Sequence, residues 1–339
     1  MARCLVVGPS WVGDMIMAQG LYRALREQGP DLVIDVLAPA WSGPILSRMA
    51  EVERIVVSPF SHGKFDLAGR RALARDLRGA GYEQAYVLPN SWKSALIPWL
   101  AGIPRRTGYV GEFRYGLLND ARRLDKAGLP RLVDRYRALA DAAPAGPADY
   151  PRLTVDPDKQ AASLARLGLV LDRPVLALCP GAEYGPAKRW PEAHYAEVAK
   201  AMLASGWQVW LFGSAADQPV GEAIDALAGG ACRNLAGATA LEETVDLLAC
   251  ATAVVTNDSG LMHVAAAVGV PVVAVYGSTD PGYTPPLSER AAVVRLGLDC
   301  SPCFERTCPL GHLDCLVKLG PERVLDILAR IPPTDHAPS

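Results

Sequence analysis

Five short stretches combine reactive residue types with the spacings that loops supply. Residues 8–15 read GPSWVGDM directly after the apolar run RCLVV at 3–7. Gly8 and Gly13 allow a tight turn, and a helix starting near Val12 or Gly13 places Asp14 in its first turn. An acid there either favours the helix dipole, worth ~0.3–1 kcal/mol, or acts as a general base at a strand's carboxyl end. The stretch lacks the GxGxxG of a dinucleotide fingerprint. Residues 179–191, CPGAEYGPAKRWP, form a glycine-rich loop that delivers Lys188 and Arg189 just before Trp190-Pro191 opens a helix. Two cations so placed would neutralise a pyrophosphate, or form an ordinary surface pair.

Residues 256–267, TNDSGLMHVAAA, end a strand and start a helix near Ser259. Asp258 or Ser259 would cap it, leaving the N–H groups of Gly260, Leu261 and Met262 to bind a phosphate. His263, one turn in, reads as a packed histidine rather than a catalyst. In FGSAADQP, 212–219, Ser214 and Asp217 have the chemistry to hydrogen-bond a ribose or base edge, although any strand-to-helix turn favours both types. The fifth stretch, DCSPCFERTCPLGHLDC, holds Cys300, Cys303, Cys308 and Cys315, spaced C-x2-C, x4-C, x6-C, with His312 inside the last gap. In a reducing compartment that is a four-ligand set for zinc or iron; free thiols or disulfides formed after purification are the alternatives. The cluster lies far along the chain from Asp14, so a metal here would be structural. Cys4, Cys179, Cys232 and Cys250 sit in or beside apolar runs and read as small buried residues.

Such loops must be positioned by strands. RCLVV (3–7), LVIDVL (32–37), RIVV (54–57) and QAYVLP (84–89) alternate with amphipathic stretches, the first a helix pattern from Met15 to Arg26. DAAPAGPADYPR at 141–152 has no period and reads as a linker. The alternation restarts with PVLALCP (174–180), WQVWLFG (207–213), ATAVVTN (251–257) and PVVAVYG (271–277), and PERVLDILARI (321–331) closes as a helix. Strand–helix alternation predicts parallel sheets, here two Rossmann-like domains over 1–150 and 151–339 with a cleft between them. The chain has 339 residues, enough for two full cores.

Net charge is −2, which excludes a global attraction to nucleic acid, but the halves differ. Residues 1–140 hold 20 Lys+Arg against 13 Asp+Glu, a net of +7; the remaining 14 and 23 give −9. The N-terminal half is thus expected to meet something anionic. No apolar run approaches the ~20 residues of a membrane span, and the start lacks the pattern of a signal peptide. A cytoplasmic protein is the expectation.

GPSWVGDM, YVLPNSWKSA, GYVGEFRYGLLND, PGAEYGPAKRWP and TNDSGLMHVAAA, in this order, resemble the lipopolysaccharide core heptosyltransferases, most closely the branch that adds the second inner-core heptose. The resemblance runs from residue 3 to about 330. It implies a GT-B glycosyltransferase fold and inverting transfer from ADP-L-glycero-D-manno-heptose to heptosyl-Kdo2-lipid A, with no cofactor required for catalysis. Asp14 falls on the family's catalytic base, Lys188 on a lysine contacting the donor phosphates, and Asp258 with Ser259–Met262 on the nucleotide-binding stretch. Ser214 and Asp217 have no firm counterpart. The acceptor's carboxylates and phosphates, presented at the cytoplasmic face of the inner membrane, would explain the basic N-terminal half; Trp11, Lys64, Lys93 and Arg114 are candidate acceptor contacts. Lys64, Arg70, Arg71, Arg105, Arg106, Arg122 and Arg123 share that charge, and Trp92 and Trp99 would meet lipid or pack in the core. Rival readings are a heptosyltransferase I or III, a sugar-nucleotide epimerase, and a non-catalytic nucleotide-sugar binding protein.

Overall fold

A computed structural model describes residues 2–60, 65–140 and 146–332. The chain divides into two compact units, Met1–Pro151 and Arg152–Ser339. The first is built on β1 (Arg3–Val7), β2 (Val33–Pro39), β3 (Arg54–Ser58), β4 (Gln84–Val87), β5 (Arg105–Tyr109) and β6 (Asp120–Arg122), in sheet order β3-β2-β1-β4-β5-β6. The second is built on β7 (Val175–Cys179), β8 (Gln208–Leu211), β9 (Arg233–Asn234), β10 (Ala253–Asn257), β11 (Val272–Val275) and β12 (Ala291–Val294), in order β12-β11-β10-β7-β8-β9. Every pairing between these strands is parallel. Both orders are those of a doubly wound Rossmann sheet, reversing direction between β1 and β4 and between β7 and β10.

The eight apolar runs all become strands. In the second unit β7, β10 and β11 are buried throughout, because helices cover both faces of a parallel sheet. The strands the hydrophobic pattern does not mark are β5, β6, β9 and β12, among them the short polar edges Asp-Ala-Arg and Arg-Asn. β6, β9 and β12 are edge strands, which bury little, so their sequence carries little signal; β5 is interior, but its RRTGY is too polar to form an apolar run. The helix expected from Met15 to Arg26 divides at Ala18 into Val12–Met17 and Gln19–Gln28. Hydrogen bonding continues across the join: Ala18 N–H donates to Asp14 O, and Tyr22 N–H to Ala18 O. The Asp156-Pro157-Asp158 triplet starts helix Pro157–Leu167, where the Asp156 carboxylate accepts from Lys159 N–H.

Each unit has its own core. Leu5, Val7, Leu37, Val87 and Ile97 meet in the first, and Leu176, Leu178, Trp190, Val255 and Leu316 in the second. Among the described residues no helix is long and apolar enough to cross a membrane.

Candidate functional site

In the N-terminal unit the loops leaving β1 and β4 diverge at the strand-order reversal. A cavity of about 610 Å³ opens there, walled by Gly8 and Ser10 after β1, Trp41 after β2, Phe60 after β3, and Ser91 and Lys93 after β4. Gly8 keeps this wall thin, since a Cβ would lie 3.0 Å from Met15 Cε and 3.3 Å from Val36 Cγ1. Its loop runs into helix Val12–Met17, whose first turn carries the half-buried Asp14. The helix has no side-chain cap at Trp11, which is 42% exposed.

Of the other expected N-terminal contacts, Lys93 lines the cavity and Lys64 lies outside the described residues. Arg114 is a correction. It is buried, and its guanidinium donates to the carbonyls of Pro89 and Tyr109 and to Asn90 Oδ1, so it ties two loops together and faces no acceptor. Arg122 and Arg105 are likewise committed, both bonding Asp120; Arg122 first, then Thr107 and Arg105, draw its carboxyl down to about 2 against the effect of burial. Trp92 and Trp99 stay partly exposed, Trp92 with its ring 5.1 Å from Phe65.

In the C-terminal unit three strand-end loops converge. Lys188 Nζ lies 2.7 Å from Asp258 Oδ2, with both side chains largely buried. Thr279, in the loop after β11, donates its hydroxyl to the same oxygen at 2.6 Å. Asn257 braces the junction from β10: its Oδ1 accepts from Trp190 N–H at 3.0 Å and its Nδ2 donates to Pro180 O. The Lys188 ammonium also stands 4.9 Å from the centre of the Tyr184 ring.

The expected cap of helix Gly260–Ala267 needs correcting. Lys188 and Thr279 claim the Asp258 carboxylate, and Ser259 Oγ pairs with Thr256 Oγ1 at 3.3 Å. No side chain caps the helix at Ser259, so its first-turn N–H groups, those of Gly260, Leu261 and Met262, are left for another acceptor. Met262 and His263 are buried; burial pushes the His263 imidazole down to about 4, against the pull of Asp258, so it is neutral at pH 7.

Ser214 and Asp217 serve each other. Asp217 Oδ2 accepts from Ser214 N–H at 2.9 Å and Ser214 Oγ at 2.8 Å, which locks the turn after β8. That carboxylate fills the space beside Gly181, where a Cβ would meet it at 2.6 Å, and stands 4.0 Å from Arg189. The pair therefore shapes the cationic loop.

The cysteine segment packs onto the same loop. Ala187 N–H donates to Arg306 O at 3.0 Å, Tyr184 Oη to Phe304 O at 2.6 Å, and Gly185 leaves no room for a side chain against Arg306 O. All eight cysteines are free. Cys300, Cys303, Cys308, Cys315 and His312 line a cavity of about 20 Å³. The N–H of Leu313, ahead of those of Leu310, Gly311 and His312, holds the Cys308 thiol below its ordinary range, whereas burial raises Cys315. As they stand, no three His, Cys, Asp or Glu side chains among the described residues are grouped so as to hold a metal ion.

Residues 70–314 match glycosyltransferase family 9 (heptosyltransferase). The chain belongs to that family. Family 9 relatives include lipopolysaccharide heptosyltransferase 2 of Escherichia coli K12, 48% identical over 96% of this chain and 97% of that protein. Lipooligosaccharide heptosyltransferase 2 of Haemophilus influenzae is 51% identical over 86% of this chain and 88% of that protein. The solved structure of E. coli ADP-heptose lipopolysaccharide heptosyltransferase II has a TM-score of 0.86 at 46% identity and covers 98% of each chain. The two parallel six-stranded sheets, together with the likeness to that solved structure, bear out the two-sheet α/β fold expected from sequence.

Sequence reasoning missed Thr279, Asn257 and Tyr184. Thr279 was open to discovery, because it follows the run PVVAVYG at a strand's carboxyl end. Asn257 closes the run ATAVVTN and Tyr184 lies in the loop CPGAEYGPAKRWP, so both were equally in view, but their roles come from contacts across the fold.

Proposed function

We propose that this glycosyltransferase moves L-glycero-D-manno-heptose from ADP-heptose to the first heptose of heptosyl-Kdo2-lipid A, with inversion, at the cytoplasmic face of the inner membrane. The near full-length similarity to lipopolysaccharide heptosyltransferase 2 carries this reading. The C-terminal unit takes the donor. Lys188 and the uncapped N–H groups of 260–262 meet its diphosphate, and the Ser214–Asp217 turn borders the nucleoside. The N-terminal unit takes the acceptor. Asp14 accepts the proton of the attacking hydroxyl as its oxygen bonds the anomeric carbon, and the bond to phosphate breaks with ADP keeping the electron pair.

The charge gathering on ADP needs fixed partners, and a lysine plus a helix start supply them. The single Asp-x-Asp triplet is spent on capping helix Pro157–Leu167. Transfer is therefore expected to proceed without a divalent ion. Incubation of the protein with ADP-heptose and monoheptosylated Kdo2-lipid A should add the mass of one heptose, with EDTA and without. Transfer only to Kdo2-lipid A lacking heptose would assign heptosyltransferase I activity, and release of an epimerised or free sugar without acceptor would assign the epimerase. ADP-heptose binding with no turnover on any acceptor would leave a binding protein.

A structural zinc or iron ion at Cys300, Cys303, Cys308 and Cys315 is a separate reading. Its support is that one small cavity is lined by all four thiols; they would have to close further on the ion. Metal analysis of protein purified without chelator tests it: about one ion per chain, lost in Cys303→Ser, supports the ion, and well under one removes it.

A further inference from the structure

Arg70 in helix Leu67–Arg78 is 7% exposed, yet it has no anionic partner among the described residues. Its Nη1 donates to Lys93 O at 3.1 Å, its Nε is buried without a partner, and its guanidinium lies 4.3 Å from the centre of the Phe60 ring. Asp66, the nearest acid by charge, spends its carboxylate on the N–H of Gly69 at the helix start. A guanidinium out of water normally has a carboxylate or a set of carbonyls around it, as Arg114 does. Arg70 has one carbonyl and two aromatic rings, those of Phe60 and, at 5.9 Å, Phe65, and it borders the cavity of about 610 Å³ at the β1/β4 reversal.

That placement is what an incoming oxyanion needs. Held by Phe60 and Lys93 O, the planar fork keeps its direction before the ligand arrives, and its ion pair forms where water is scarce. Lys93 supplies a second positive charge on the same wall, and the hydroxyls of Ser91 and Ser94 line it too. We propose that Arg70, with Lys93, forms an oxyanion subsite in the N-terminal cavity that recognises a carboxylate or phosphate of the sugar acceptor. This deepens the heptose-transfer reading and rests on it. Arg70 selects and seats the acceptor; it takes no part in proton transfer.

The test uses the full chain and the deacylated heptosyl-Kdo2 oligosaccharide in three forms: intact, with its phosphates removed, and with its sugar-acid carboxyls reduced. Arg70→Met keeps the stem against Phe60 and removes the charge; Arg70→Lys keeps the charge and removes the fork. Loss of a charge-assisted hydrogen bond predicts a KM for the intact acceptor raised ~10- to 100-fold in Arg70→Met, with kcat and ADP affinity within about twofold of wild type. Arg70→Lys should fall between, and Lys93→Met should raise KM less than Arg70→Met. The chemical form whose loss weakens the wild type but costs Arg70→Met nothing further identifies the bound group as phosphate or carboxylate. Unchanged acceptor KM in both Arg70 variants, with wild-type transfer intact, would overturn the subsite and leave the transferase standing. Wild-type oligosaccharide binding that depends on Arg70, without transfer, would keep the subsite and sink the transferase. If Arg70→Met fails to fold, Arg70→Lys and Lys93→Met decide: both indistinguishable from wild type would again overturn it.

Discussion

Lys188 pairs with Asp258 and is proposed to meet the donor phosphates, and replacing it separates what it does for the fold from what it would do for the donor. Its ammonium is held 2.7 Å from Asp258, with side-chain exposures of 14% and 5%. Lys188→Met leaves that carboxylate buried with only the Thr279 hydroxyl, 2.6 Å away, to satisfy it. Breaking a buried pair from one side costs about 3–5 kcal/mol, and the surviving Thr279 bond favours the lower end. At ~2–4 °C per kcal/mol for a domain of this size, the melting temperature of the C-terminal unit should fall by about 6–12 °C. The double variant Lys188→Met/Asp258→Asn removes both charges and should regain most of that loss. ADP affinity should follow a different order. Both variants lack the cation proposed to meet the donor phosphates, so on that proposal both should bind ADP ~10- to 100-fold more weakly, the stabilised double variant included. Scanning calorimetry and ADP titration read the two quantities independently. A double variant that regained ADP affinity together with stability would refute the argument, because Lys188 would then matter only to the fold.

Three other outcomes follow from the geometry. Asp14→Asn should lower kcat by about 10²–10⁴-fold while ADP affinity stays within about twofold; equal losses would make the acid structural. His263 is depressed from 6.5 to about 4 by burial, so the unfolded chain takes up its proton first as pH falls. Stability from this group is complete above pH 6.5 and is lost between pH 6.5 and 4, on the order of 3 kcal/mol in all; His263→Gln should flatten that slope in urea titrations. Gly185→Ala sets a methyl against the Arg306 carbonyl. It should displace the cysteine segment from the cationic loop, weaken ADP binding and raise thiol labelling at Cys300 and Cys303; wild-type values on both would show that the two segments are independent.

How much of this was legible follows from what each residue does. The buried strands announced themselves, because a parallel sheet covered on both faces needs continuous apolar runs such as VLALC and VVAV. The polar edges did not, since β6 and β9 bury too little to be marked. The strand-end rule pointed to Asp14, Lys188 and the start of helix Gly260–Ala267 as candidates, because an open α/β sheet leaves its ligands at the carboxyl ends, and all three do lie in loops or helix starts that follow β1, β7 and β10. It misread Asp258 as a cap, since capping and ion pairing both suit an aspartate in that turn, and only the fold shows Lys188 and Thr279 reaching it.

Charge was the least direct guide. The N-terminal half carries a net of +7 (20 less 13), yet charge counted along a chain takes no account of where a guanidinium is already satisfied. Arg105 and Arg122 are spent on Asp120, Arg106 on the carbonyls of Ile103 and Leu117, and Arg114 on the loops after β4 and β5. Arg106, Arg114 and Arg122 donate to backbone carbonyls at loop and element ends, while Arg105 and Arg122 also pair with Asp120 across β5 and β6. Arg70 breaks that rule. It is buried like Arg114 but bonded once where Arg114 is bonded repeatedly, and it borders a cavity where Arg114 does not. The unspent donor, more than the sum of charge, is therefore where an anionic acceptor should make its contact.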